Sequence, residues 1–466
     1  MDASEGDLAR QEEPETNMNK SSPAFRGFQT GPSPRIVATM SAILLKNGRV
    51  IDPANKRDAL GDVLIVDGKI APLSELPASA AKLETIDCTG LVVAPGLIDL
   101  HVHLREPGQS AKETIATGTA CAAAGGFTSV VCMPNTSPSV DNASVVTWIL
   151  EKAKTDAVVN VFPTGALTKG IAGEELAPIG AMKKAGIVAL TDDGHCIQNH
   201  EIMRRVCEYA RMFDLTVMDH CQDYNLVGKG VMNEGRVSAE LGLPGWPAIG
   251  EEIIVARNGL IAELTGTPIH CQHLSAAGSV RILREVRRRG VPLSGEICPH
   301  HIALTDESIR GFDTNFKMNP PLRSQEHVEA LIEGVADGTI TVLASDHAPH
   351  CGFEKEVEFD FAPFGILGLE TELGLFLDIL VHKKKAIDLA RLVELYTLNP
   401  ARLLGLDRGT LSDGAVADVT LINPGLEWTV DKEASASKSR NNPFHGWELK
   451  GRAVRTIVAG RTVWSN

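Results

Sequence analysis

Between Leu97 and Asp346 the chain passes through eight short apolar runs separated by stretches of helical spacing or composition, and this alternation constrains the fold most. The runs fall at 97–103, 127–133, 158–164, 187–192, 215–220, 268–273, 291–297 and 340–346. Among the intervening segments, 111–124, 202–213 and 279–289 have helical spacing or composition. Strands alternating with helices imply a parallel sheet, and eight rounds predict an α/β chain built on a (β/α)8 TIM-type barrel. A doubly wound open sheet is the alternative. It would more often carry one glycine-rich phosphate turn, and the sequence offers no credible one.

The flanks read differently. Residues 42–45 precede Asn47-Gly48 and residues 62–66 precede Asp67-Gly68, both hairpin signals. Similar material returns at 417–422 and at 454–458 before Ala459-Gly460. Neither end holds enough strands for its own sheet, so the two are expected to combine into one small β-sandwich. Residues 1–40 begin acidic and turn Ser-, Pro- and Gly-rich, with too little apolar surface to offset ordering entropy. They have no secretory h-region, and Met40 stands as a candidate functional start. The expected division is a disordered extension at 1–40, an N-terminal sandwich segment at 41–95, a hydrolase barrel at 96–402 and a C-terminal sandwich segment at 403–466.

A formal charge of −14 argues against nucleic acid as a partner, and no run approaches the ~18 apolar residues of a membrane helix. The nine scattered cysteines form no Cys-x-x-Cys, which suits reduced thiols in a cytoplasmic protein.

The chemistry-bearing residues gather where the expected strands end. His101 and His103 share one strand face, about 6.6 Å apart at ~3.3 Å per residue, and Arg105 continues that parity as a candidate anion holder. Asn135 follows the second strand, Asp192-Asp193 the fourth, His220 ends the fifth, His273 the sixth and Asp346 the eighth. All these endings belong at the C-terminal mouth of a barrel, where such folds place their active sites. Any one of them has a bland explanation, such as helix capping, but six strand ends in agreement do not. Four histidines and two carboxylates suffice for two divalent metals. His101, His103 and Asp346 would hold one, His220 and His273 the other, with one aspartate of the Asp192-Asp193 pair between them. A metal lowers the pKa of bound water from about 15.7 to about 7, roughly 12 kcal/mol less deprotonation cost, which equips the site to hydrolyse an amide or ester.

At these residues the chain resembles the dihydroorotases of the amidohydrolase superfamily, bacterial type I. The resemblance is carried by Pro95 through Gly108 (containing His101-Val102-His103-Leu104-Arg105), Met133-Pro134-Asn135-Thr136 and Thr191-Asp192-Asp193-Gly194. It continues through Met218-Asp219-His220-Cys221, Met318-Asn319-Pro320-Pro321-Leu322-Arg323 and Ala344 through His350, and spans roughly 42–464. It implies zinc-dependent, reversible cyclisation of N-carbamoyl-L-aspartate to L-dihydroorotate plus water, in de novo pyrimidine synthesis. It also implies one or two zinc ions per chain on His101, His103, Asp193, His220, His273 and Asp346. Asp346 doubles as general acid/base toward a metal-bound hydroxide, Arg105, Asn135 and His350 bind the substrate carboxylate, and Asn319 lines the pocket. Asp193 stands where hydantoinases carry a carbamylated lysine; the formal charge is the same, the reach shorter. A homodimer and a complex with aspartate transcarbamoylase are the expected protein partners. The loops 225–251 and 350–365 are the candidates to cover the mouth, and the resemblance favours the second. A hydantoinase acting on an uncharged ring and an inactive scaffold are the competing readings. The cluster of Arg105, Asn135 and His350 weighs against the first, the full ligand set against the second.

Overall fold

From the N-terminal side, β1 (Ala42–Asp52) pairs antiparallel with β2 (Arg57–Val66), which turns into β3 (Lys69–Ala71). Asp67-Gly68 is the expected two-residue hairpin, with φ of 47° and 78°, left-handed values that suit Asp and Gly. Asn47-Gly48 is not a hairpin. It lies inside β1 as a bulge, with Asn47 at φ 62° and a register slip between Leu45 and Gly48. The cause is a change of partner along one strand. Residues 42–46 pair in parallel with β4 (Leu83–Asp87), whereas Arg49 and Val50 pair with β5 (Val92–Pro95). An inserted residue re-aims a strand in this way without ending it. The computed structural model describes residues 42–76 and 83–466. The extension expected at 1–40 and the candidate start Met40 lie outside the described residues.

The barrel strands follow as β6 (Leu97–Val102), β7 (Phe127–Cys132), β8 (Asn160–Gly165), β9 (Ala189–Leu190) and β10 (Thr216–Asp219). After β10 the chain makes an excursion containing a small parallel pair, β11 (Met232–Asn233) and β12 (Gly245–Trp246). It then returns through β13 (Ile269–Cys271), β14 (Leu293–Ile297) and β15 (Val342–Leu343). These eight barrel strands pair in parallel in chain order, and each lies within or overlaps an expected run. The seam between the first and last is closed beyond β15, by a bridge between Val102 and His347. Buried Asp99 stitches the same seam, accepting from the Ser345 amide at 3.2 Å and from the Ser345 hydroxyl.

Local signals fix the crossovers. Thr114 and Thr117 form a capping box at the start of Ile115–Gly125, and Asn142 and Asn199 cap the helices Ala143–Asp156 and His200–Arg211. The chain ends with β16 (Val419–Thr429), β17 (Glu448–Val458) and β18 (Arg461–Ser465). Because β16 pairs antiparallel with β5, strands from both termini share one sheet, in the order β18-β17-β16-β5-β1-β2-β3 with β4 beside β1. Hydroxyls tie this sheet to the first barrel crossover, Thr420 donating to Gly126 O and Thr456 to Ala123 O, both at 2.7 Å. The nine cysteines are free thiols. Among the described residues no helix is long and apolar enough to cross a membrane.

Candidate metal centre

Four imidazoles and two carboxylates converge at the C-terminal mouth. His101 and His103, on β6 and just past its end, have ring centroids 5.6 Å apart. His101 Nε2 faces Asp193 Oδ1 at 3.3 Å and Asp346 Oδ1 at 3.5 Å. His103 Nε2 faces Asp346 Oδ1 at 3.1 Å and Asp193 Oδ2 at 3.4 Å. From the other side, His220 Nδ1 and His273 Nε2 lie 3.5 and 3.6 Å from Asp193 Oδ1 and 2.8 Å from each other. Asp193 thus stands between the two histidine pairs. Its neighbour Asp192 turns the other way, accepting from the backbone amides of Leu167 and Thr168 and from the Thr168 hydroxyl. All six converging residues are buried.

Each ring orientation has a cause. The Nδ1–H of His101 donates to Glu296 Oε1 at 2.8 Å, that of His103 to Asn135 Oδ1 at 2.9 Å. His220 donates from Nε2 to Gln222 Oε1 at 2.9 Å. In all three the opposite nitrogen is aimed at the cluster and presents a lone pair there once deprotonated, the arrangement that orients metal-ligating histidines. Glu296 is itself fully buried; burial opposes its charge, but His101 and His270 hold it down at about 2. His270 lies 3.1 Å from its second oxygen.

Burial disfavours charge on His101, yet Asp193 and Asp346 lift it well above the usual imidazole value. Burial also opposes ionisation of Asp346 and Asp193, and the histidines hold both carboxylates well below the normal range. These opposed shifts have one cause, a buried cluster of anionic oxygens that draws positive charge toward itself. His101 Nε2 and His273 Nδ1 have no hydrogen-bond partner among the described residues. The triplets His101–His103–Asp193, His101–His273–Asp346 and Asp193–His220–His273 each bring their ligand atoms within 4.8 Å of one another. Lone pairs and anionic oxygens so close in a dry site fit divalent cations.

Beside this cluster is a cavity of about 180 Å³ whose walls include Arg105, Asn135, Asn319, His350, Phe364 and Gly365. The Arg105 Nε–H donates to Pro349 O at 3.2 Å, the one hydrogen bond its guanidinium makes among the described residues. Burial lowers Arg105 to about 10, so it stays cationic at neutral pH. Burial and Arg105 push His350 down to about 2, leaving a neutral ring that donates from Nε2 to Phe364 O at 2.8 Å. Arg105, His273 and Asp346 all have left-handed backbone (φ 61°, 33° and 45°), a conformation that costs on the order of 1–3 kcal/mol each and collects at functional sites.

The sequence-derived site residues therefore meet in one place. Asn319 reaches the cavity from the far wall, its side-chain amide donating to Gln222 Oε1 at 3.4 Å. Sequence reasoning missed Glu296, Gln222 and Asn441. Glu296 had a signal, a carboxylate inside an apolar strand run. Asn441 had none: it lies between β16 and β17, yet its side chain accepts from the His350 amide at 3.1 Å and donates to Ala348 O and Gly365 O. Of the two candidate loops, 350–365 supplies Phe364 and Gly365 to the cavity wall. Buried Lys355 and Lys317 pin that loop by donating to Pro363 O and Phe359 O.

The family description "Dihydro-orotase-like" matches residues 90–279 and "Amidohydrolase family" matches 256–463. A dihydroorotase of Geobacter sp. (strain M21) is 54% identical over 422 residues, 91% of this chain and 99% of that one. A dihydroorotase of Solibacter usitatus (strain Ellin6076) is 52% identical over 423 residues, 91% of this chain and 98% of its own length. Among solved structures, the L-hydantoinase (dihydropyrimidinase) from Arthrobacter aurescens superposes with a TM-score of 0.78 at 25% identity, covering 90% of this chain and 95% of that one.

Proposed function

This chain belongs to the dihydroorotases, cyclic-amide hydrolases of the amidohydrolase family, and on that premise we propose that it interconverts N-carbamoyl-L-aspartate and L-dihydroorotate in cytoplasmic de novo pyrimidine synthesis, with zinc as its metal. One observation carries the reading: an Asp193 carboxylate between two histidine pairs, beside a cavity walled by an arginine with free guanidinium nitrogens. In this reading residues 96–402 carry the chemistry, while 41–95 and 403–466 form the supporting sheet. The likeness to a hydantoinase structure is compatible with an uncharged ring as substrate, but a buried cation facing such a ring would be left unpaired.

His101, His103 and Asp346 would hold one ion and His220 and His273 a second, with Asp193 shared; one or two ions per chain fit this set. When bound, zinc supplies a Lewis acid that polarises a carbonyl and acidifies water. The chain's own residues do the rest. Arg105, with Asn135 and His350 beside it, holds the substrate carboxylate, and Asn319 orients the ring. In hydrolysis, ionised Asp346 takes a proton from the attacking water and passes it to the departing ring nitrogen; synthesis runs the same transfers backwards. Bond-making is favoured by exclusion of bulk water under the 350–365 loop. We further propose that the enzyme works as a homodimer and is compatible with a complex with aspartate transcarbamoylase.

The test is turnover of dihydroorotate by the purified protein with chelator, and again after added zinc. Loss and recovery are expected, and turnover indifferent to chelation refutes the metal assignment. Arg105→Ala separates the substrates: KM for carbamoyl-aspartate is expected to rise roughly 10–100-fold, the worth of a charged hydrogen-bonded contact, with little change for a neutral hydantoin. Equal losses would refute the carboxylate-binding role.

A further inference from the structure

Three residues of the cavity wall, Ala348, His350 and Gly365, share one hydrogen-bonding partner that stands behind the wall rather than in it. Asn441 accepts from the His350 amide at 3.1 Å and donates from Nδ2 to Ala348 O at 2.9 Å and to Gly365 O at 3.0 Å. Its own carbonyl accepts from the Leu367 amide at 3.0 Å. One carboxamide thus holds both ends of the 350–365 loop. It is buried, so these bonds form in a low dielectric that strengthens them. The neck they make is tight. The His350 ring donates to Phe364 O at 2.8 Å, and a Cβ on Gly365 would meet Ala348 O at 2.6 Å and the His350 ring at 2.7 Å. Arg105 hangs on the same segment, its Nε–H donating to the oxygen of Pro349, between two of the clamped residues.

The clamp comes from the terminal sheet, not from the barrel, because Asn441 lies in the connection between β16 and β17. In that connection Ser437, Ser439 and Asn441 are buried, while Lys438 and Arg440 between them are exposed and half-buried. Such a period of two belongs to extended backbone, and it turns three polar side chains inward. Buried polar groups cost stability unless paired, and these three find their partners around the cavity. The Ser439 hydroxyl donates to Lys112 O at 2.7 Å and the Ser437 hydroxyl to Glu113, on the segment that follows Arg105. Lys112 in turn pairs with Glu354 of the 350–365 loop at 2.9 Å. Phe444 anchors the connection in a buried apolar cluster that includes Met318, Ala348 and Ile366. The connection therefore grips both segments that carry the candidate carboxylate binders.

We propose that Asn441 is a positioning residue for the substrate carboxylate, setting His350 directly and Arg105 through Pro349 O. The inference rests on the carboxylate-binding role given to those two residues above. Steady-state kinetics of the full chain on dihydroorotate, with added zinc, tests it. Asn441→Ala should raise KM about 10-fold, with kcat within about 3-fold of wild type and the metal-to-protein ratio unchanged. Asn441→Ser, whose hydroxyl keeps part of the bonding, should fall between the two, and it supplies the KM reading if the alanine variant fails to fold. In an Arg105→Ala, His350→Ala background the groups to be positioned are gone, so Asn441→Ala should lower kcat/KM by less than about 2-fold. Thr420→Val cuts a hydroxyl tie between the same sheet and Gly126, at the N-terminal end of β7. It should lower the thermal midpoint and leave KM alone, which separates positioning from general loosening of the sheet. An unchanged KM in the Asn441 variants, a loss confined to kcat, a raised KM in Thr420→Val, or full additivity in the double-variant background would overturn the proposal alone. A wild-type chain that does not turn over dihydroorotate would remove the substrate reading, and the proposal with it.

Discussion

Two groups of buried metal-capable side chains lie in the same barrel, and they are built on opposite principles. At the mouth, His101, His103, His220 and His273 face two ionised carboxylates, and Glu296, Asn135 and Gln222 fix three of the rings. Just after β14, Cys298, His300 and His301 also bring their ligand atoms within 4.8 Å of one another. That second group has no carboxylate. His300 has no hydrogen-bond partner on either nitrogen among the described residues, and His301 uses only Nε2, donating to Pro320 O at 2.9 Å. Burial, aided by the neighbouring histidines, drives both rings toward neutrality, His301 to about 4 and His300 well below its usual value. Donor proximity is thus common to both groups, whereas fixed negative charge belongs to the mouth alone, and partners that set the tautomer hold three of its rings against only His301 in the second group. A dication in a dry site needs that charge, because desolvation is repaid only by close anions.

The largest expected effect falls at the mouth. Asp346→Asn keeps the shape but removes both a charge and the proposed proton carrier, and kcat should fall by roughly 10²–10⁴-fold; a rate within a factor of ten of wild type would remove Asp346 from proton transfer. Next comes acid sensitivity at the second group. His301 takes up a proton near pH 6.5 when unfolded and only near 4 when folded. The unfolded chain therefore binds more protons between those values, and stability is lost as pH falls from about 6.5 toward 4, on the order of 3 kcal/mol in full. His301→Gln retains a donor for Pro320 O and should flatten that part of the unfolding-midpoint profile. An unchanged profile would mean that the ring is already protonated in the native chain.

Smaller again is Glu296→Gln, which leaves His101 a neutral acceptor. Metal affinity, read by competition with a chromogenic chelator, should weaken by about 10–100-fold, with the fold intact. Smallest is His300→Leu, which replaces an unpartnered imidazole with an apolar side chain of similar size. The unfolding free energy should change by no more than about 1 kcal/mol, toward greater stability, since an unsatisfied buried polar group is removed. The metal-to-protein ratio should not move. Loss of a metal equivalent from His300→Leu would erase the distinction between the two groups.

The mouth was far more legible than its supports. His101 and His103 share strand parity, and each remaining candidate ligand sits where an apolar run stops, so a period of two and the length of the runs were enough to collect them. Glu296 was visible only as a misfit, a carboxylate in a buried strand, and its partner could not be read because His101 lies 195 positions away. Asn441 gave nothing at all: an asparagine in a polar stretch near the C-terminus looks like any loop residue. Asn47-Gly48 misled for a related reason, since the dipeptide favours left-handed backbone equally well in a hairpin and in a bulge.

From the residues alone came the eight-fold alternation, the barrel, the terminal sheet and the identity of the converging histidines, because each rests on short-range periodicity or on residue type at a strand end. The tertiary structure decided between Asp192 and Asp193, sending one into the Leu167–Thr168 backbone and the other between two histidine pairs. It also chose the nitrogen each imidazole presents. Those outcomes depend on which distant groups arrive at hydrogen-bonding distance, and strand pairing across the barrel, rather than any local pattern, sets those arrivals.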